Sequence, residues 1–138
     1  MAFANPQDDV IREILATPLT VAVVGCSPRP DRDSHEIAAL LQARGHRMIP
    51  VNPTCDEILG ETCYPSLRAV PTPVAMVDVF RRSEEVGAVA DEAIAIGARI
   101  LWLQLGVIDE AAALRAQAAG LTVVMDRCPA IEYRRLFR

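Results

Sequence analysis

The chain has 138 residues, enough for one ordinary domain with its own core. About half of it is hydrophobic (51%) and aromatics are only 4%, so the core is expected to be aliphatic. The net charge of −4 argues against broad nucleic-acid binding, and the basic residues are all arginine, which excludes lysine-based Schiff-base chemistry and a P-loop lysine. No N-terminal run resembles a signal peptide and no segment approaches a membrane span, so a cytoplasmic location without membrane contact is expected.

In chain order, Asn5-Pro6-Gln7-Asp8 reads as a helix start with an Asn cap and Pro at the first helical position. Val10, Ile11, Ile14 and Leu15 form its apolar face, and it ends near Thr17-Pro18. This N-terminal helix, within residues 1–17, is expected to pack on the rest of a single domain spanning 1–138. Residues 20–24 are a continuous apolar run, as in a strand buried on both faces of a parallel sheet. The run ends at Gly25 and passes through a short loop into a helix, where Asp33 and Glu36 have capping-box spacing. Gly45 can stop that helix. Residues 47–51 form a second strand, and Pro50 within it predicts a short or locally unpaired strand.

Residues 52–73 predict a turn around Asp56–Gly60, an extended piece at Thr62–Tyr64 and a helical turn near Ser66–Ala69. Residues 74–79 are a strand. Ser83 is the expected cap of the next helix, whose apolar positions run from Val86 to Ile94 and which Gly97 ends. Ile100–Leu103 is a strand, Asp109 caps an alanine-rich helix closed by Gly120, and Leu121–Met125 is the last strand. The tail from Pro129 predicts a short amphipathic helix over the sheet edge.

Strands and helices thus alternate throughout, which predicts a doubly wound, mainly parallel α/β sheet of Rossmann-like type with helices on both faces. Ligands of such folds bind beyond the carboxyl ends of the strands. Those ends carry Gly25-Cys26-Ser27, Asn52-Pro53, Val79-Phe80-Arg81 and Gln104-Leu105-Gly106. A strand that turns through glycine into a helix N-terminus suits phosphate. Yet G-x-G-x-x-G is absent, and the second strand ends in Asn52 where a dinucleotide site has an acid to hold the ribose diol. An ordinary NAD site is therefore disfavoured, and without G-x-x-x-x-G-K-S/T the chain is not a P-loop NTPase.

These residues resemble the CoA-binding domain family of small bacterial and archaeal proteins, similar in fold to the CoA-binding domain of succinyl-CoA synthetase α subunits. The resemblance covers residues 18–137. Its carriers are Val-Val-Gly-Cys-Ser (23–27), Ile-Pro-Val-Asn-Pro (49–53), Val-Asp-Val-Phe-Arg (77–81), Ala-Ile-Gly-Ala (95–98), Leu-Trp-Leu-Gln-Leu-Gly (101–106) and Val-Met-Asp-Arg-Cys-Pro (124–129). It implies a domain that binds coenzyme A or acyl-CoA as a small-molecule ligand. The phosphates would lie against the Gly25–Ser27 turn and the helix start at Ser34, and the adenosine near Asn52-Pro53 and Phe80-Arg81.

Each candidate also has a plain structural role. Gly25 and Ser27 can be a phosphate loop or only a tight turn. Arg29 and Arg32 can pair with phosphate or stay solvated. Ser34 can donate to phosphate or cap its helix. Asn52 and Pro53 can wall a base or end a strand. Val79 and Phe80 sit at a strand end, where Phe80 stacks on a base or packs in the core. Arg81 is a better phosphate partner than Arg82, and Gln104 and Gly106 are rim residues.

Cys26 opens an acyl- or thiol-transfer alternative, because a helix N-terminus activates a thiol. The family commonly has Ala there, so this thiol is a departure. A nucleotide- or NAD-sensing module is a further alternative. No catalytic triad, acid/base pair or zinc spacing is apparent; Cys55, Cys63, His35 and His46 do not match a structural zinc pattern. The four cysteines are expected to be reduced. Asp78, a lone carboxylate in an apolar strand, is expected to bond nearby N–H groups. A homodimer or a protein partner is left open.

Overall fold

A computed structural model describes residues 2–137. The chain opens with α1 (Asp8–Ala16), then β1 (Thr20–Val24), α2 (Asp33–Ala43) and β2 (Arg47–Val51). A small hairpin follows, β3 (Glu57–Ile58) and β4 (Glu61–Thr62), and then a 3-10 turn at Leu67–Ala69. The second half contains β5 (Met76–Val79), α3 (Val86–Ala95), β6 (Ile100–Leu103), α4 (Glu110–Ala118), β7 (Thr122–Val124) and α5 (Pro129–Leu136).

The main sheet has the order β2-β1-β5-β6-β7 and every pairing in it is parallel. After β2 the chain crosses back to the other side of β1, so the winding reverses between β1 and β5. A Rossmann-like sheet offers its crevice at that point. The alternation of side chains sorts the core into two layers. Ala22, Val24, Val77, Val79, Leu101, Leu103 and Val123 face α3 and α4, whose Ala90, Ala93, Ala112, Ala113 and Ala116 allow close approach. Val21, Val23, Met76, Ile100, Trp102 and Val124 face the opposite way, onto α1, α2 and α5. Hence the tail helix lies across a sheet face beside α1 and α2 rather than over the edge. Arg135 fastens it there, donating to both carboxylate oxygens of Asp8 at 2.8 Å.

Several local expectations are corrected. Asn5 does not cap α1, whose N-cap is Gln7. Its amide instead grips the backbone of Met125, donating from Nδ2 to the carbonyl and accepting from the N–H. Asp33 lies inside the first turn of α2, with Arg32 as N-cap, and complements the helix dipole without capping it. Ser83 begins a 3-10 turn, and its hydroxyl accepts the N–H of Ile108. Asp109 does cap α4, accepting from the N–H of Ala112.

Pro50 does not shorten β2, which keeps five residues. The strand is at the sheet edge. Arg47 donates inward to Leu19 and Val51 accepts inward from Gly25, while the Pro50 carbonyl accepts outward from Tyr64. The missing N–H of Pro50 therefore belongs to the outer row and costs no bond to β1.

Candidate functional site

The loop after β1 is shaped by close approach. Gly25 has φ +86°, and a Cβ there would lie 2.1 Å from the carbonyl oxygen of Phe80. Glycine is thus required both by conformation and by space. Its N–H donates to Val51, and the N–H of Phe80 donates to Val24, so the ends of β2, β1 and β5 are drawn together. The next turn folds onto the start of α2. The N–H of Ser27 donates to Ser34 Oγ at 2.9 Å, and His35 Nδ1, 2.9 Å from the Ser27 carbonyl, must carry a proton to bond it.

Beside this loop lies an open cleft of about 820 Å³ at the carboxyl ends of the strands. Gly25, Ser27, Arg32 and Ser34 line it from the β1–α2 connection, Phe80 and Arg81 from the end of β5, and Gln104 from the end of β6. These seven are sequence-predicted site residues that the fold brings together. Arg32, Arg81 and Arg134 face the cleft, and among the described residues no carboxylate forms an ion pair with any of them. Arg82 also reaches it, but engages Glu84 and Glu85. The cleft wall therefore carries guanidinium groups outside any ion pair next to a helix N-terminus, an arrangement that favours an anion, together with the carboxylates of Asp33, Glu36 and Glu85, which oppose it.

The other candidates lie off this wall. Asn52 is a brace: Nδ2 donates to the Cys26 carbonyl at 2.8 Å and Oδ1 accepts from Thr54. Pro53 follows it outside the cleft. Arg29 extends into solvent with Asp31 as its partner. Val79 is fully buried in the α3/α4 layer. The N–H of Gly106 is taken by Asp126 Oδ1 at 2.7 Å.

Cys26 is fully buried in the α1/α2/α5 layer, and burial pushes its thiol up to about 12. A thiol so placed is neither deprotonated near neutral pH nor open to the cleft, which removes the physical basis for a Cys26 nucleophile. All four cysteines are free, as expected. Asp78 departs from expectation: it is fully buried and neither carboxylate oxygen has a hydrogen-bond partner among the described residues.

Sequence reasoning missed one whole wall. Cys128, Ala130, Ile131 and Arg134, from the end of β7 and from α5, line the cleft, as do Leu105 and Val107 after β6. The signal was present: Met125-Asp126-Arg127-Cys128 is a fifth strand end on the same rim. Trp102 holds it in place, donating from its indole to the Arg127 carbonyl at 2.9 Å.

The family model described as CoA binding domain matches residues 19–134. The uncharacterized protein YneT of Bacillus subtilis (strain 168) is 44% identical over 124 residues, which span 90% of this chain and 92% of YneT. A hypothetical protein from Pyrococcus horikoshii OT3 superposes with a TM-score of 0.91 at 35% identity, covering 100% of both chains. An acetyl-coenzyme A synthetase 1 from Ca. Korarchaeum cryptofilum matches with a TM-score of 0.71 and 26% identity. That match covers 83% of this chain but 27% of the synthetase.

Proposed function

The chain belongs to the CoA-binding domain family, and from that premise we propose that the cleft at the carboxyl rim holds coenzyme A or an acyl-CoA, without catalysis of its own. The observation that carries the reading is the Gly25–Ser27 turn opening onto the start of α2, with Arg32, Arg81 and Arg134 around the same cleft in no ion pair among the described residues. The first N–H groups of α2, at Asp33 and Ser34, and the helix dipole attract the pyrophosphate. The arginines supply charge-assisted bonds to its oxygens and to the 3′-phosphate. Phe80, at the end of β5, offers an aromatic surface for the base.

A binding role fits the state of Cys26, whose buried thiol has no path to a thioester. A nucleotide-sensing role with NAD is less well served. The end of β2 presents Asn52, already spent on Cys26 and Thr54, where a ribose diol needs a carboxylate.

Isothermal titration with CoA, acetyl-CoA, NAD and ATP tests the reading. Saturable heat with CoA and acetyl-CoA is expected, weakening as salt rises because the contacts are largely ionic. Absence of both heat and thermal shift with every CoA species would overturn it, and tight NADH binding without CoA binding would reverse the ranking.

A further inference from the structure

Folding leaves four large hydrophobic side chains exposed among the described residues, and two of them, Leu105 at 57% and Ile131 at 40%, line the cleft. Apolar groups gathered at one exposed place mark a surface that something covers. Leu105 stands in the connection between β6 and α4, and Ile131 in the first turn of α5. The end of β6 and its loop are tied directly to the loop after β7. The Gly106 N–H donates to Asp126 Oδ1 at 2.7 Å, and the Trp102 indole donates to the Arg127 carbonyl at 2.9 Å. Val107, Cys128 and Ala130 add apolar lining from the same two segments.

Charge is spread unevenly over the same lining. The segments after β1 and β5 give it Arg32, Asp33, Glu36, Arg81, Arg82 and Glu85. The segments after β6 and β7 give it one charged side chain among the described residues, Arg134, one turn beyond Ile131 on α5. An occupant that fills the whole cleft therefore needs an ionic part and an apolar part. Free CoA has the first and ends in a small thiol, which leaves Leu105 and Ile131 in water. A CoA thioester of an aliphatic acid has both.

Resting on the CoA reading above, we propose that the Leu105–Ile131 side of the cleft is an acyl site, and that the ligand it favours is the CoA thioester of an uncharged aliphatic acid longer than acetate. Each methylene laid against these side chains leaves water. In a cleft this open a methylene is covered on one side only, which gains about twofold in affinity, half of what full burial gives. A chain ending in a carboxylate would instead have to shed its hydration against leucine and isoleucine, with Arg134 alone to offset the loss. The site binds the thioester and leaves it intact. Cys26 is sealed in the core and neither histidine lines the cleft, so neither is placed to attack the acyl carbon or to move a proton for it.

Isothermal titration of the full chain with CoA, acetyl-CoA, hexanoyl-CoA and glutaryl-CoA reads the acyl contribution as ratios of Kd. Hexanoyl-CoA should bind about tenfold tighter than acetyl-CoA, and glutaryl-CoA, nearly as long but ending in a carboxylate, should show no such gain. Leu105→Ser and Ile131→Ser should each cut the hexanoyl-to-acetyl ratio to about threefold or less. Both side chains are exposed, so the core does not rest on them, and thermal melting checks that the variants fold. Ile108→Ser serves as the control, because Ile108 is 49% exposed yet outside the lining, and it should keep the parent ratio. Equal Kd values for acetyl-CoA and hexanoyl-CoA, or a ratio that survives both lining variants, overturn the acyl site. Tighter binding of glutaryl-CoA than of hexanoyl-CoA also overturns it and gives that side to an acidic acyl group through Arg134. So does a concentration-dependent dimer in sedimentation that Leu105→Ser or Ile131→Ser disrupts, if no gain with chain length accompanies it, since a second copy then covers the apolar side. Saturable binding of CoA without the hexanoyl gain removes the acyl site and leaves the CoA reading standing. Absence of heat with every CoA species removes both.

Discussion

Asn52 donates its amide to the Cys26 carbonyl across 2.8 Å, joining the carboxyl ends of β2 and β1 beneath the loop that begins the cleft. A residue expected at the ligand wall holds the loop at the head of the cleft. Asn52→Ala leaves a partly buried carbonyl without its donor, at a cost of about 1–3 kcal/mol. Urea unfolding of the unliganded protein should show that loss. An unchanged midpoint combined with weakened CoA binding would return Asn52 to the ligand.

Gly25 and Gly106 both have positive φ, at +86° and +82°, but their surroundings differ. A methyl group at 106 meets nothing within 4 Å, so Gly106→Ala should cost only the left-handed strain, about 1–2 kcal/mol. At 25 the methyl runs into the backbone of Phe80, which cannot move without disturbing β5. Gly25→Ala should therefore cost clearly more than Gly106→Ala and should also reduce CoA binding. Equal unfolding midpoints for the two variants would show that the β1 loop yields easily.

His46 has its proton fixed by its partners. The Leu19 N–H donates to Nδ1, so Nε2 carries the hydrogen and donates to Tyr133, whose hydroxyl donates to Leu15. Burial holds the imidazole below its ordinary value of 6.5. The unfolded chain then binds more protons than the native one. This contribution is present above pH 6.5 and is lost as pH falls toward the native value. Melting temperatures between pH 7.5 and 5 should fall, and His46→Gln should flatten that fall. Tyr133→Phe breaks the relay and should cost about 1–3 kcal/mol at pH 7.5.

Asp78 has the opposite sign. Burial raises it well above the ordinary 3.8, so the native state holds a proton that the unfolded chain releases. Its contribution is complete below pH 3.8 and is lost as pH rises through the native value. Asp78→Asn, neutral at every pH, should gain stability relative to the parent as pH is raised from about 4 to 7. Parallel melting curves for parent and variant over that range would show that Asp78 does not couple folding to protons.

Much of the fold was legible in the sequence. The β1, β2 and β6 spans were read at their observed bounds, and helices do stop ahead of Gly45, Gly97 and Gly120. The misreadings at Asn5, Asp33 and Ser83 have a common origin. Each is a good capping residue beside a helix start, yet the partner of Asn5 is 120 residues away and that of Ser83 is 25 away. Half of the cleft was legible for a similar reason: strand ends are local, whereas the α5 wall depends on how the tail packs across the sheet.

By itself the sequence determined the alternation of strands and helices, the parallel sheet and the rim that its strand ends form. Hydrophobic period and glycine position act over a few residues, so neighbours along the chain suffice to specify them. Only the tertiary structure decided which polar groups remain available on that rim. Asn52 and the Ser27 N–H are already spent internally, Cys26 is sealed in the core, and Arg32, Arg81, Gln104 and Cys128 are left facing the cleft. Availability is a matter of distant partners, because a buried donor or acceptor is satisfied by whatever the fold brings beside it.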